Sequence, residues 1–477
     1  MHKQAQTLNH DEVNTALLDF LDRSPVAFFA VKNMGEELEK AGFRRLQEGA
    51  HWELEAGGAY YVTRNGSAVI AFRVPVAKPA EIVGFQIMAS HCDSPVFKVK
   101  PNAEITVANR YVKLNVEKYG GMLCAPWLDR PLSVAGRVAV QTPDGVETRL
   151  VNIDRDLMII PNLAIHMNRE ANDGYKYNAQ ADLLPLIGEA ETVKSEAAKS
   201  SVRNCPEAGG DKQAGQDGQA GQFLRLIAQE AGVHPDQILD TDLYLYNRMK
   251  GTYIGMEREF IASGRLDDLQ CAFASLRGIL AARPARSIAV HCVLDNEEVG
   301  SGSKQGAAGT FLRDVLHRIN AALGRSEEDY LRMLASSFMV SADNAHSLHP
   351  NHAEKADPTN RPLMNRGIVI KYSANQKYTT DAVSGAIFRR ICQEAGVPWQ
   401  TFANRSDMIG GSTLGNITQS QVSVNTVDVG LAQLAMHSPY ETAGARDTAY
   451  LAEAARVLFS STVEAAGDGG FRIFSEL

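Results

Sequence analysis

Apolar residues recur at helical spacing at the start of the chain. In DEVNTALLDFLDRS, Val13, Leu17, Leu18 and Leu21 share one face, and SPVAFFAVKNMGEELEKAGF follows with a Ser24-Pro25 start and a Gly42 stop. Two β-rich runs in GAYYVTRNGSAVIAFRV flank Asn65-Gly66, which predicts a hairpin. EIVGFQIMAS (81–90) is almost wholly apolar, as a strand covered on both faces must be. From about 95 to 165 the pattern changes to short alternating runs (FKVKP, AEITV, VKLNVEKYG, SVAGRVAVQT, VETRLVNI) split by turns such as Thr142-Pro143-Asp144-Gly145. That predicts a β-rich unit inserted into another fold. After about 247 strands and helices alternate: helix 267–282, strand 287–294, helix 309–323, strand 336–343, strand 367–372, helix 381–396, strand 422–430, and a last helix, TAYLAEAARVLFSSTVEAA.

The expected fold is α/β, a doubly wound mixed sheet with helices on both faces. It begins with strand 81–90 and resumes after the insert. This divides the chain into a discontinuous unit, 1–92 and 247–477, and an inserted unit, 93–246. Within the insert, 196–222 is rich in Gly, Ala, Gln and Lys without periodicity and reads as a flexible surface loop, to which no function is assigned.

Composition narrows the class. A chain of 477 residues with 44% hydrophobic and 22% charged residues is an ordinary globular protein of more than one domain, not a collagenous, disordered or coiled-coil one. No apolar run is long enough for a transmembrane helix, and the opening MHKQAQTLNHDEVNTALL does not read as a secretory signal. A net charge of −8 argues against a nucleic-acid or anionic-membrane partner. The six cysteines (Cys92, Cys124, Cys205, Cys271, Cys292, Cys392) form no CxxC pair and read as reduced thiols of a cytoplasmic protein.

Five clusters of acids and histidines fall where a strand ends or a helix begins, where open α/β sheets place ligands. Ser90-His91-Cys92-Asp93-Ser94-Pro95 leaves the first buried strand. Positions i and i+2 of an extended chain share a face, so Asp93 can orient a metal-bound His91 or simply brace a turn. In Gly264-Arg265-Leu266-Asp267-Asp268-Leu269, two acids at a helix start read by themselves as N-capping. Asp295-Asn296-Glu297-Glu298-Val299-Gly300-Ser301 follows strand 287–294. Adjacent carboxylates in extended chain point to opposite sides, so one can hold a metal while its neighbour activates water; a polar loop is the alternative. Ser341-Ala342-Asp343-Asn344-Ala345-His346 ends another strand, and His346, His349 and His352 are either ligands or loop structure. Ala435-Met436-His437-Ser438-Pro439-Tyr440-Glu441 supplies a histidine that alone reads as structural. Together the clusters bring two histidines and several carboxylates to one sheet edge, in an order that suits two metals. Such donors without cysteine suit zinc, with manganese or cobalt possible. Two ions about 3.5–4 Å apart need a bridging carboxylate, and Asp267, at a helix start between the other ligand sets, is the natural bridge.

In order and wording these clusters resemble the aspartyl aminopeptidase family, which includes vacuolar aminopeptidase I. Further agreement lies in SPVAFFAV, WLDRPLSVAGR (127–137), PNLAIHMNRE (161–170), IKYSANQKY (370–378) and GGSTLG (410–415), so the resemblance spans nearly the whole chain. It implies a zinc-peptidase catalytic domain interrupted by a dimerisation domain, and assembly through dimers to a tetrahedral dodecamer. It implies two Zn2+ per subunit, with Mn2+ or Co2+ possible at one site. His91 and Asp343 would hold one ion, Glu298 and His437 the other, with Asp267 bridging. Glu297 would be the general base and Asp93 would orient His91. His166 would reach the active site of a neighbouring subunit and help to stabilise the tetrahedral intermediate. Lys371 and His349 would face the substrate, Lys371 placed for an acidic side chain. In related di-metal peptidases the peptide after the bridging Asp is cis, and Asp267–Asp268 is the corresponding peptide here. Eukaryotic members carry Pro-Cys where this chain has Ile409-Gly410, and Arg where it has Tyr440; its wording is closer to bacterial members.

The expected activity is removal of one N-terminal residue, Asp or Glu, from peptides with a free N-terminus. A free α-amine is a metal-binding group, which favours cleavage after the first residue only. The alternatives are an aminopeptidase preferring neutral residues, a di-metal amidohydrolase acting on N-acyl or other non-peptide amides, and a non-catalytic scaffold. The intact ligand set and Glu297 argue against the last. A glycosidase using Glu297 and Glu298 is disfavoured, because its paired carboxylates come from different elements.

Overall fold

The computed structural model describes residues 9–190 and 221–475. Of the loop expected at 196–222, only Gly221 and Gln222 fall among the described residues, and Gln222 opens the helix Gln222–Ala231. The chain forms two compact units, Met1–Ser94 with Lys250–Leu477, and Pro95–Met249.

The first unit is built on a nine-stranded sheet. In spatial order its strands are Arg44–Arg45, Ala59–Arg64, Ala68–Arg73, Ser287–Leu294, Gly84–His91, Phe338–Ala342, Asn425–Gly430, Ile368–Tyr372 and Trp399–Ala403. Side chains alternate between two covered faces, as the two-residue period requires. Val69, Ala71, Met88, Ala289 and Val293 pack against helices His10–Arg23, Ala27–Lys40, Leu266–Ala281, Ala382–Ala395 and Asp447–Ser460. Ile70, Phe72, Ile87, Val290 and Cys292 pack on the other face, against Phe311–Ala322 and Glu327–Ala335. The sheet is mixed and covered on both sides. The expected hairpin forms around Asn65 and Gly66, both at positive φ (57° and 66°), and Gly42 (φ 84°) ends the second helix.

Three features differ from the expectation. The last helix stops at Ser460, and Ser461–Ala465 pairs as a strand with Phe471–Ser475, consistent with the β-branched Thr462-Val463 at that point. Strand Trp399–Ala403 and helix Glu327–Ala335 were not anticipated. Neither was a five-stranded sheet of Thr252–Ile254, Phe260–Ser263, Glu441–Gly444, Ala432–Leu434 and Ala345–His346. Its strands are too short to display a period.

The second unit is a six-stranded antiparallel sheet: Gly145–Asn152, Leu132–Thr142, Ile238–Asn247, Val96–Val107, Tyr111–Tyr119 and Leu186–Glu189. Trp127, Phe97, Val134 and Leu245 lie in its own core, with helix Gln222–Ala231 packed through Phe223 and Ile227. Asn247 still pairs with Leu132, which is why the unit runs past 246.

Candidate metal centre and cavity

Four neighbouring strands of the large sheet, Ser287–Leu294, Gly84–His91, Phe338–Ala342 and Asn425–Gly430, run parallel and end on one edge. His91 is the last residue of its strand and is in register with Leu294, so Glu297 and Glu298 emerge beside it. Asp343 follows Ala342, which is in register with Val429, so the segment leading to His437 emerges beside Asp343. Asp267 arrives from the start of helix Leu266–Ala281, where Arg265 has φ 62° and both Asp267 and Asp268 are non-helical. The Asp267–Asp268 peptide is cis.

These side chains converge. His91 Nε2 lies 3.5 Å from Asp267 Oδ1 and 4.0 Å from Asp343 Oδ1. His437 Nε2 lies 3.6 Å from Asp267 Oδ2 and 3.4 Å from Glu298 Oε2. Three groups therefore offer ligand atoms within 4.8 Å of one another: His91, Asp267 and Asp343; Asp267, Glu298 and His437; and His91, Glu297 and Glu298. Asp267 belongs to the first two, one oxygen turned to each histidine. Asp267 Oδ1 and Glu298 Oε1 are buried and accept no hydrogen bond from the described residues. Leaving carboxylate oxygens buried and unsatisfied is costly, and a divalent cation relieves it. The donor set, all imidazole and carboxylate, suits zinc.

The surrounding hydrogen bonds fix these positions. His91 Nδ1 lies 3.1 Å from Asp93 O and 3.4 Å from Asp93 Oδ1. The Asp93 carboxylate does more than face the histidine: Oδ1 accepts from the Glu297 N–H and Oδ2 from the Glu298 N–H, both at 3.1 Å. The two glutamates sit in a 3₁₀ turn, Glu297–Val299, entered through Asn296 at φ 61°, and not in extended chain as expected. Asp268 Oδ2 accepts the His91 N–H at 3.2 Å, so this acid braces the strand end. Glu441 was not singled out from the sequence. It is buried, and accepts the Asp267 N–H at 3.0 Å on Oε2 and the His437 N–H at 2.9 Å on Oε1. The signal that marks it is an acid opening a buried strand, Glu441–Gly444, four residues after a candidate ligand.

The acids crowd one another. Burial, reinforced by the charges of Asp343, Asp93 and Asp267 and opposed by His91, pushes Glu297 up to about 7. Burial pushes Asp343 up to about 6 even though Lys371 opposes it. Burial and Asp267 hold Glu298 well above the usual carboxylate range. Burial disfavours protonated His91, but Asp267 and Asp93 outweigh it and raise the imidazole well above its ordinary value.

The cluster forms one wall of a cavity of about 150 Å³. The lining also includes Ala345, His346, Tyr378, Phe402, Gly411–Thr413 and Met436, with Lys371 close to both Asp343 and the Tyr378 ring. Lys371 is buried; Nζ donates to Asn344 O at 2.9 Å and lies 3.8 Å from Asp343 Oδ2. Its charge is directed at a candidate ligand. His349 is not among the cavity-lining residues. Its Nδ1 accepts the Asn351 N–H at 3.2 Å and its ring lies 5.0 Å from that of His352; His346 lines the cavity instead. Tyr440 does not line the cavity either, and its hydroxyl donates to Lys250 O at 2.9 Å. His166 lies in the inserted unit, on an exposed turn closed by Met167 N–H to Ala164 O.

Fold and site together define an α/β unit of zinc-peptidase type, with its polar cluster at the carboxyl ends of parallel strands. The chain belongs to the family described as aminopeptidase I zinc metalloprotease (M18), which matches residues 20–459. It is 45% identical over 436 residues to a probable M18 family aminopeptidase 2 of Clostridium novyi, covering 91% of this chain and 95% of that one. A protein of the same description from Pseudomonas aeruginosa is 43% identical, covering 94% and 99%. Among solved structures, a chain of the Ape4 and Nbr1 complex has a TM-score of 0.87 at 35% identity, covering 96% of this chain and 87% of that one. The S. cerevisiae mApe1 dodecamer gives 0.78 at 27% identity, covering 94% and 97%. The chain is thus an aminopeptidase of a zinc metalloprotease family.

Proposed function

We propose that the chain removes one N-terminal residue, Asp or Glu by preference, from peptides, using two Zn2+ per subunit; Mn2+ or Co2+ can serve at one site. The observation that carries this reading is the sharing of Asp267 between two groups of ligand atoms. His91 and Asp343 hold one ion, Glu298 and His437 the other, and Asp267 bridges. When bound, the ions supply Lewis-acid polarisation of the scissile carbonyl and make water acidic enough to deprotonate near neutrality. Glu297 takes the proton of the attacking water and gives it to the leaving amine. Asp93 holds Glu297 and Glu298 by their main-chain N–H groups and orients His91, so base and ligand keep a fixed separation. The cluster opens into a cavity of only about 150 Å³, which supports a reading in which a single terminal side chain is received.

The acidic preference rests on Lys371, the lysine of the cavity lining. Its engagement with Asp343 and Asn344 O is the one observation that favours a second reading, a preference for neutral residues. The proposal includes self-association through dimers to a tetrahedral dodecamer, with the inserted unit as the dimerisation domain and His166 reaching a neighbouring subunit's site. It is supported by Leu163, Ile165 and Met167, exposed at 52%, 48% and 74% around His166. A cytoplasmic location is consistent with the free thiols of Cys92, Cys271, Cys292 and Cys392. The test is zinc-reconstituted enzyme assayed on anilides of every amino acid beside their N-acyl counterparts. Hydrolysis confined to free N-termini, fastest for Asp and Glu, is expected. Equal cleavage of blocked amides would replace the aminopeptidase with an amidohydrolase, and faster Leu or Ala turnover would transfer the preference to neutral residues.

A further inference from the structure

Two of the loops that line the cavity beside the acid cluster meet at one carboxylate that the reaction does not use. Asp428, in strand Asn425–Gly430, is fully buried at 0% exposure. Its Oδ2 accepts the Thr379 N–H at 2.5 Å and the Thr379 hydroxyl at 2.6 Å. Its Oδ1 accepts the Thr413 hydroxyl at 2.6 Å. Its own N–H donates to Thr380 Oγ1 at 2.9 Å. Thr379 and Thr380 adjoin Tyr378, and Thr413 ends the Gly411–Thr413 run; all of these but Thr379 and Thr380 line the cavity. The two loops come from separate places, one after strand Ile368–Tyr372 and the other after Trp399–Ala403. The helix Leu414–Thr418 that Thr413 caps lies close to the same oxygen: a Cβ at Gly415 would meet Asp428 Oδ1 and Ser341 Oγ, each at 2.8 Å, so that position has room only for glycine. None of Asp428's hydrogen bonds reaches His91, Asp267, Glu298, Asp343 or His437.

A buried carboxylate is tolerated only where charge-assisted hydrogen bonds replace its water. Here the bonds come from Thr413, which lines the cavity, and from Thr379, whose neighbour Tyr378 lines it. We propose that Asp428 is a positioning residue for specificity: it ties the Tyr378–Thr380 and Gly411–Thr413 loops together, so that the pocket for the N-terminal side chain keeps its width. The proposal rests on the reading that this cavity receives the first residue of a peptide. It assigns no part in metal binding or proton transfer to Asp428.

Asp428→Asn puts an amide where three donors converge and endangers the fold, so the test uses the donors. Thr413→Val deletes the hydroxyl at nearly constant volume, and Thr413→Ser restores it. Losing one hydrogen bond to a charged group corresponds to about a tenfold change. Thr413→Val is therefore expected to raise KM for the preferred N-terminal residue about tenfold, more than it lowers kcat, with zinc content unchanged. Thr413→Ser should return KM to the wild-type value. Hydrogen exchange supplies a readout independent of turnover: in Thr413→Val the Thr379 amide, on the other loop, should exchange about tenfold faster. Unchanged KM and unchanged Thr379 protection would overturn the proposal, as would a Thr413→Val enzyme that loses zinc and activity in parallel. If the wild-type enzyme cleaves no free N-terminus, the functional reading falls, and the exchange experiment still decides whether Asp428 couples the loops.

Discussion

The two walls of the cavity are built on different rules. One is made of strand-end acids and histidines, charged, mutually crowded and held from behind by Asp93, Asp268 and Glu441. The other includes a tyrosine, a phenylalanine and glycine-rich backbone, packed in a small apolar cluster and tied across two loops by Asp428. The first wall must resist its own repulsion until cations relieve it, so each ligand needs a fixed main chain. The second has no such repulsion; its loops set shape. The comparison predicts a division of labour: changes behind the acid wall should alter metal binding and chemistry, and changes at the Asp428 ties should alter chiefly which residue fits. Lys371 lies on the seam and separates the two accounts experimentally.

The largest effect is expected from Glu297→Gln. Loss of the general base should lower kcat by about 10²–10⁴-fold while both zinc ions remain bound, as elemental analysis of the purified variant will show. Metal loss in that variant would move Glu297 from proton transfer to ligation, the role that its membership in the group with His91 and Glu298 would otherwise permit. His166→Ala should lower kcat by about 10²–10³-fold at normal metal content, the scale of removing one donor from a developing oxyanion. Wild-type turnover would remove His166 from the site.

Behind the acid wall, Glu441→Gln should weaken zinc binding about 10–100-fold, measured by competition with a chromophoric chelator. The amide nitrogen cannot accept the N–H that the lost carboxylate oxygen held, so either Asp267 or His437 is released. Unchanged affinity would mean that the packing of strand Glu441–Gly444, not this carboxylate, sets the ligands. The smallest effect belongs to the seam. Lys371→Ala should raise KM about tenfold for Asp and Glu substrates relative to Leu and Ala ones. An equal loss on all substrates, with falling zinc content, would make Lys371 an anchor for Asp343 and nothing more.

The sequence made part of the acid wall readable because the residues of that part stand at the ends of apolar runs, which Asp267, at a helix start, and His437, in a turn, do not. His91 follows 81–90, Glu297 and Glu298 follow 287–294, and Asp343 closes 336–343, so periodicity alone delivers them to one sheet edge. Glu441 escaped because it lies in a four-residue strand of the small sheet, where no period can be seen. Asp428 escaped although a signal was present: a lone acid within the apolar strand 422–430 has to find buried donors, and those donors, Thr379 and Thr413, lie in loops that no local pattern connects to it. The resemblance implied His349 on the substrate side, and the cavity lining includes His346 and not His349. Three histidines within seven residues give no basis for deciding which one the turn directs at the cavity. Extended geometry was the wrong assumption for Glu297-Glu298, because Asn296 enters the left-handed region and begins a 3₁₀ turn there.

The central claim is that Asp267 is shared by two cations. Zinc titrated into metal-free protein, followed by calorimetry with elemental analysis of the product, tests it directly. The account predicts two ions per chain for the wild type, and for Asp267→Asn a weakening of both sites together. One ion per chain, or an Asp267→Asn variant that loses one site and keeps the other at full affinity, would contradict it.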